Sequence, residues 1–154
     1  MIKKRIAAIF LLALIFATLA FIFTQSALPP EKSTAESEAV GEIIEEIIPP
    51  DTEAGAYVKV NLRKIAHFVE FACLGIEIAL FVSLFLGRPI FVALSYPMAL
   101  LTAFFDESIQ MFSGRGPAIF DVWIDFFGFF TFASLTYALA FLARLVFRWL
   151  KKRN

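Results

Sequence analysis

"IAAIFLLALIFATLAFIFT", residues 6–24, carries no charged side chain, and none occurs anywhere between Arg5 and Glu31. Its 19 residues make about 28 Å of helix at ~1.5 Å per residue, which matches a bilayer core. A buried core helix is the other reading of such a run, but the composition of the whole chain argues against it. Of the 154 residues, 60% are hydrophobic and 18% charged, and the 20 Phe exceed what a core of this size could hide from water. The chain reads as an all-α integral membrane protein.

Three more apolar stretches extend this reading to a bundle of four transmembrane helices. Residues 65–86 are interrupted only by His67, Glu70 and Glu77; residues 89–105 are short but uncharged; residues 122–143 carry one charge, Asp125. The third stretch is barely long enough, so a re-entrant segment is its alternative. Lys3, Lys4 and Arg5 precede the first span, Arg88 follows the second, and Arg144, Arg148, Lys151, Lys152 and Arg153 follow the fourth. With four spans these nine positive charges fall on one side, which holds no Asp or Glu. The positive-inside bias then puts both termini in the cytoplasm and loops 25–63 and 106–121 outside. The basic residues are thereby explained by topology, and nothing supports nucleic-acid binding. The first span is also longer than the apolar run of a cleaved secretory signal, which favours a retained anchor over cleavage at "TQSA". Cys73, the lone cysteine, excludes an internal disulfide and is expected to pack within the bundle.

Loop 25–63 divides in two. "ALPPEKSTAESE" is polar and turn-rich, and its paired prolines end the first helix. "AVGEIIEEIIPP" places Val40, Ile43, Ile44, Ile47 and Ile48 at helical spacing, with Glu38, Glu42, Glu45 and Glu46 largely opposite. This predicts a short amphipathic helix, ended by Pro49 and Pro50. Its acidity disfavours anionic headgroups, so it is expected to pack on the protein.

The polar residues are not scattered. Arg63, His67, Glu70, Leu74 and Glu77 share one helical stripe, and ionisable groups inside a membrane face the bundle interior. "DESIQ" ends the third span with Asp106 and Gln110 on one face and Glu107 about a quarter-turn away. Two glycines and a proline shape the turn around Arg115. Asp121 opens the fourth span, where a carboxylate suits a helix N-terminus, and Asp125 and Gly128 continue its stripe. Arg63, Lys64, His67, Glu70, Asp106, Glu107, Gln110, Arg115, Asp121 and Asp125 are therefore expected at one level of the membrane, as an outward-facing site. Glu77 sits deeper, where it is expected to pair with Tyr96 or Tyr137 or to stay protonated.

"RKIAHFVEFACLG" followed by "DESIQMFSGRGPAIFDVWIDFFG" resembles the VanZ-like family of bacterial membrane proteins. The family pattern is a basic residue and histidine opening a helix, then Asp-Glu-x-x-Gln, a Gly-Arg turn, and Asp-x-x-x-Asn/Asp-x-x-Gly. Lys64, His67, Glu70, Asp106, Glu107, Gln110, Gly114, Arg115, Asp121, Asp125 and Gly128 match it, and "FIFTQS" resembles the family's polar exit from the first helix. Phe132 departs from it, since a second small residue often follows the glycine; close helix approach at that point is left open. The resemblance covers nearly the whole chain and implies a single domain, 1–154, in the bacterial cytoplasmic membrane. It also implies a link to the cell envelope and to teicoplanin susceptibility, but names no reaction.

Three functional readings follow from the residues. In the first, Lys64 and Arg115 hold the phosphate of a lipid-linked envelope intermediate while the acids and Gln110 hold sugar or peptide groups. In the second, His67 with Asp106, Glu107, Asp121 and Asp125 supplies acid–base groups, or ligands for a divalent cation, in a membrane-embedded hydrolase or transferase. In the third, Arg63, Lys64 and Arg115 pair with those carboxylates and merely lock helices together. No cofactor is required by the sequence, and no oligomeric state is indicated.

Overall fold

The computed structural model describes residues 2–116 and 118–153, and among them five α-helices form. Four are long and apolar enough to cross a membrane: α1 (Ile2–Ser26), α3 (Glu53–Phe81), α4 (Pro89–Phe112) and α5 (Ile119–Arg153). The fifth, α2 (Pro30–Glu45), lies between the first two spans and packs on α3. The 24 residues of α4 are one continuous helix, about 36 Å at ~1.5 Å per residue. That removes the re-entrant alternative: "DESIQ" prolongs the short apolar run instead of ending it.

Two boundaries differ from the sequence expectation. α2 starts at Pro30 and takes in "EKSTAESE", which reads as loop by composition. Pro30 presets the first helical φ, Glu31 faces the positive end of the helix dipole, and the Ala, Glu and Lys that follow are strong helix formers. The helix also stops at Glu45, and Ile47 and Ile48 both turn back to the Ile44 carbonyl before the proline pair. α3 begins at Glu53, well before residue 65, because Thr52 caps it by accepting from the Gly55 amide at 3.0 Å. A helix of 29 residues spans about 44 Å, so its first turns extend beyond a hydrocarbon core of ~30 Å. These turns are the platform on which α2 rests.

α3 and α5 form the most extensive helix pair, held close by reciprocal glycines. A Cβ on Gly75 would stand 2.7 Å from the Phe129 carbonyl oxygen, and one on Gly128 would stand 2.3 Å from that of Phe68. Small residues let helix backbones approach where lipid offers no hydrophobic drive for association. The close approach left open at Phe132 is therefore met one turn earlier, while Phe132 meets the edge of Phe68 with ring centroids 6.3 Å apart. Phe71, Leu74, Ala103, Phe129 and Ala133 fill the interior, while large side chains such as Phe10, Phe16, Phe104 and Phe147 point outward. Cys73 also points outward and is not a packing residue inside the bundle. At the far end of α3 a π-helical turn, Val82–Leu86, leads to Gly87 at φ +63° and into α4, and Arg144 of α5 donates to the Ser83 carbonyl there.

Candidate functional site

The stripe along α3 faces inward: His67, Leu74 and Glu77 are buried, Glu70 is half-buried and Arg63, in the third turn of the helix, is exposed. α4 brings Asp106, Glu107 and Gln110 to the same level, all buried, and α5 adds Asp125 from its second turn. At the centre, His67 Nδ1 lies 3.6 Å from Asp106 Oδ2 and 3.5 Å from Asp125 Oδ1. Both separations exceed hydrogen-bond length. His67 Nδ1 and both Asp125 oxygens are buried without a hydrogen-bond partner, as are Glu70 Oε2 and Glu107 Oε2.

Asp106 is better provided for. Ser26, the last residue of α1, donates to Asp106 Oδ1 at 2.5 Å, and the Gln110 amide donates to Oδ2 at 3.0 Å. The Gln110 oxygen in turn accepts from Arg63 Nη2 at 2.6 Å, tying the third turn of α3 to the end of α4. Glu107 accepts from the Ala118 amide, anchoring the turn before α5.

Arg115 has a different set of contacts from the one its sequence suggests. Its guanidinium donates to Ser33 Oγ at 2.8 Å, to the Gln25 carbonyl at 3.1 Å and to the Ser26 carbonyl at 2.8 Å. It thus fastens the α4–α5 turn over the C-terminus of α1, where helix carbonyls lack intrahelical donors. Gly114, at φ +84°, makes the turn. Burial first, and then the Arg63 charge, lower the Arg115 guanidinium from its ordinary value, while Asp106 and Glu107 act in the opposite direction. A guanidinium nonetheless stays protonated throughout the range in which proteins fold.

The ten residues expected at one level do not all join the centre. Asp121 is half-buried in the first turn of α5, one turn before Asp125, and Lys64 is exposed with its ammonium 5.9 Å from the Phe120 ring centroid. Among the described residues no Arg or Lys forms an ion pair with Asp106, Glu107, Asp121 or Asp125. The locking ion pairs of the third reading are thus corrected: Arg63 bonds an amide and Arg115 bonds carbonyls and a hydroxyl. Glu77 accepts from Thr18 of α1 at 2.9 Å, not from a tyrosine; Tyr96 bonds Ser134 at 3.0 Å and Tyr137 bonds Ser95 at 3.2 Å. Sequence reading missed Ser26, Ser33 and Ser113, whose roles are visible only in the folded chain. Ser113 donates to the Ser26 and Gln110 carbonyls at 3.0 and 2.9 Å. The "TQS" exit of the first helix was the one signal pointing to Ser26.

Above this centre, between α2 and the first turns of α3, lies a cavity of about 610 Å³. Ile44, Ile48, Val58 and Leu62 give it an aliphatic wall, and Ser33 and Arg63 also line it. Those last two bond Arg115 and Gln110 respectively, so hydrogen bonds link the lining of the cavity to residues around the polar centre.

Against this geometry, the family model described as VanZ/LLP1 matches residues 7–149, nearly the whole chain. The chain belongs to the VanZ/LLP1 family. No curated protein and no solved structure matches it. The match takes in α2, α3 and α4 whole and most of α1 and α5, so the polar centre of this VanZ/LLP1 chain lies wholly within the family region.

Proposed function

We propose that this VanZ/LLP1 protein binds a phosphate-bearing amphiphile of the bacterial cell envelope at the outward end of its helical bundle, and thereby alters susceptibility to glycopeptides such as teicoplanin. The observation carrying this reading is the cavity of about 610 Å³ between α2 and α3, with an aliphatic wall and Arg63 among its lining residues. An acyl or prenyl chain suits the wall, and a phosphate suits a guanidinium that donates to Gln110 through Nη2. Glu38 and Glu42 of α2 line the same cavity and offer acceptors to sugar hydroxyls or peptide amines. Arg115, assigned to phosphate from sequence, is committed to α1 carbonyls; the phosphate role passes to Arg63, with Lys64 alongside on the exposed face. The outward orientation rests on the nine basic residues at the other end of the spans. Gently purified protein should carry a phospholipid or lipid-linked saccharide detectable by native mass spectrometry, and Arg63→Ala should lose it. Equal retention by Arg63→Ala would sink the assignment.

A second reading is favoured by one observation: a buried imidazole beside two carboxylates, one helical turn along α3 from the Arg63 that lines the cavity. His67 with Asp106 or Asp125 is a suitable acid–base pair for a membrane-embedded hydrolase or transferase acting on the same amphiphile. In the mass spectrum this reading requires a chemically changed lipid that reverts to the unchanged one in His67→Gln.

A further inference from the structure

Asp125 is fully buried, both of its carboxylate oxygens lack a hydrogen-bond partner, and among the described residues no Arg or Lys forms an ion pair with it. His67 is itself 7% exposed, with Nδ1 directed at two carboxylates yet bonded to neither. Polar atoms left this way inside a bundle are costly unless something occupies the space between them. We propose that His67 Nδ1 and one carboxylate oxygen each from Asp106 and Asp125 form a binding site for a divalent transition-metal cation of the Zn²⁺ class.

Two of the three edges of this group favour one class of cation. The three ligand atoms lie within 4.8 Å of one another, and the two imidazole–carboxylate separations are 3.6 and 3.5 Å. Tetrahedral ligands about 2.1 Å from Zn²⁺ stand about 3.4 Å apart, close to these edges. Octahedral ligands about 2.05 Å from Mg²⁺ stand about 2.9 Å apart, which fits worse. An imidazole in the set points the same way, towards Zn²⁺ and its neighbours and away from Mg²⁺.

Charge and surroundings agree. Two carboxylates and a neutral imidazole neutralise a divalent ion without help, which explains why Arg63 and Arg115 can be engaged elsewhere. Ser26 and Gln110 hold the Asp106 carboxylate by one oxygen each, as outer partners of a metal ligand do. Glu70 Oε2, one turn along α3, and Glu107 Oε2, beside Asp106 on α4, are also buried and unpartnered. Nothing in this site requires the lipid, and the two assignments stand or fall separately.

The test uses full-length protein in detergent, stripped with a chelator and then titrated with Zn²⁺ or Co²⁺ alone. Wild type should bind a single equivalent, with a chelator-reversible rise in melting temperature and the intense visible absorption of tetrahedral Co²⁺. Asp125→Asn and His67→Gln should lose both signals. Ser26→Ala, which removes an outer partner, should weaken binding about 10–100-fold. Glu77→Gln, a buried acid deeper on the same stripe, should bind as wild type does. Wild type that takes up neither metal, or uptake that is equal in Asp125→Asn, overturns the site. Lipid retention measured on the same stripped protein separates the assignments: retention without metal uptake removes the cation site and leaves the amphiphile reading intact.

Discussion

Ser26 does more for this protein than its position at the end of an apolar helix suggests. Its hydroxyl donates a hydrogen bond to buried Asp106, and its carbonyl accepts from both Arg115 and Ser113. Ser26→Ala leaves the carbonyl bonds in place but strips a buried carboxylate of its shortest hydrogen bond, at a cost of about 1–3 kcal/mol. Its melting temperature in detergent should fall by several degrees. Asp125→Asn should behave oppositely in chelator-treated protein, because the substitution removes a buried charge that has no hydrogen bond to lose. Stability equal to or above wild type is expected, and a clear loss would show that Asp125 is a structural ion-pair member. The sequence revealed the inward stripe of His67, Glu70 and Glu77 because helical period alone brings those positions to one face. It could not reveal Ser26 as their partner, since α1 and α4 are far apart in the chain and only packing sets Ser26 against Asp106.

At the scale of elements, glycine positions separate close approach from mere tolerance. The Gly128 Cβ would collide with the Phe68 carbonyl oxygen, a backbone atom that cannot move without parting α3 from α5. Gly128→Ala should therefore lower stability by about 1–3 kcal/mol and disturb Asp125, which lies one turn away. In α2 and the α2–α3 connection the contrast is sharper still. A Cβ at Gly41 meets only Leu62 Cδ2 at 3.6 Å, ordinary contact, so Gly41→Ala should stabilise α2 by up to about 1 kcal/mol through helix propensity. A Cβ at Gly55 would stand 2.1 Å from the Pro49 carbonyl oxygen, so Gly55→Ala should detach the turn that carries α2 onto α3. Limited proteolysis of the 46–52 connection measures both: slower cutting in the first variant, faster in the second. Cleavage that is unchanged in Gly55→Ala would show that this turn does not hold α2 in place. The elements were legible where they are apolar and periodic. α2 was misjudged because its first turns are polar on all sides, and its stability as a helix comes from capping, propensity and the platform of α3.

For the whole molecule, the bilayer sets the frame. Basic residues crowd the end of the spans opposite the polar centre, so reporter fusions after Arg88 and after Asn154 should lie in the cytoplasm and one within residues 33–38 outside. An external signal after Asn154 would reverse the side on which the cavity opens. Hydropathy, length and charge asymmetry sufficed for four spans, because a membrane forces each apolar segment to satisfy its own backbone as a helix. The motif residues sufficed for the family. What the chain alone left undecided was who meets whom: whether the arginines face carboxylates or carbonyls, and whether a histidine and two aspartates converge on one point. Those outcomes depend on the rotation and depth of helices relative to one another, set by the close approaches of Gly75 to Phe129 and of Gly128 to Phe68 and by the turn that Arg115 fastens over α1. Such contacts join residues remote in sequence, and local period cannot encode the distance between two helices. Tertiary packing decided that distance, and with it left His67, Asp106 and Asp125 gathered in the interior with no arginine or lysine paired among them.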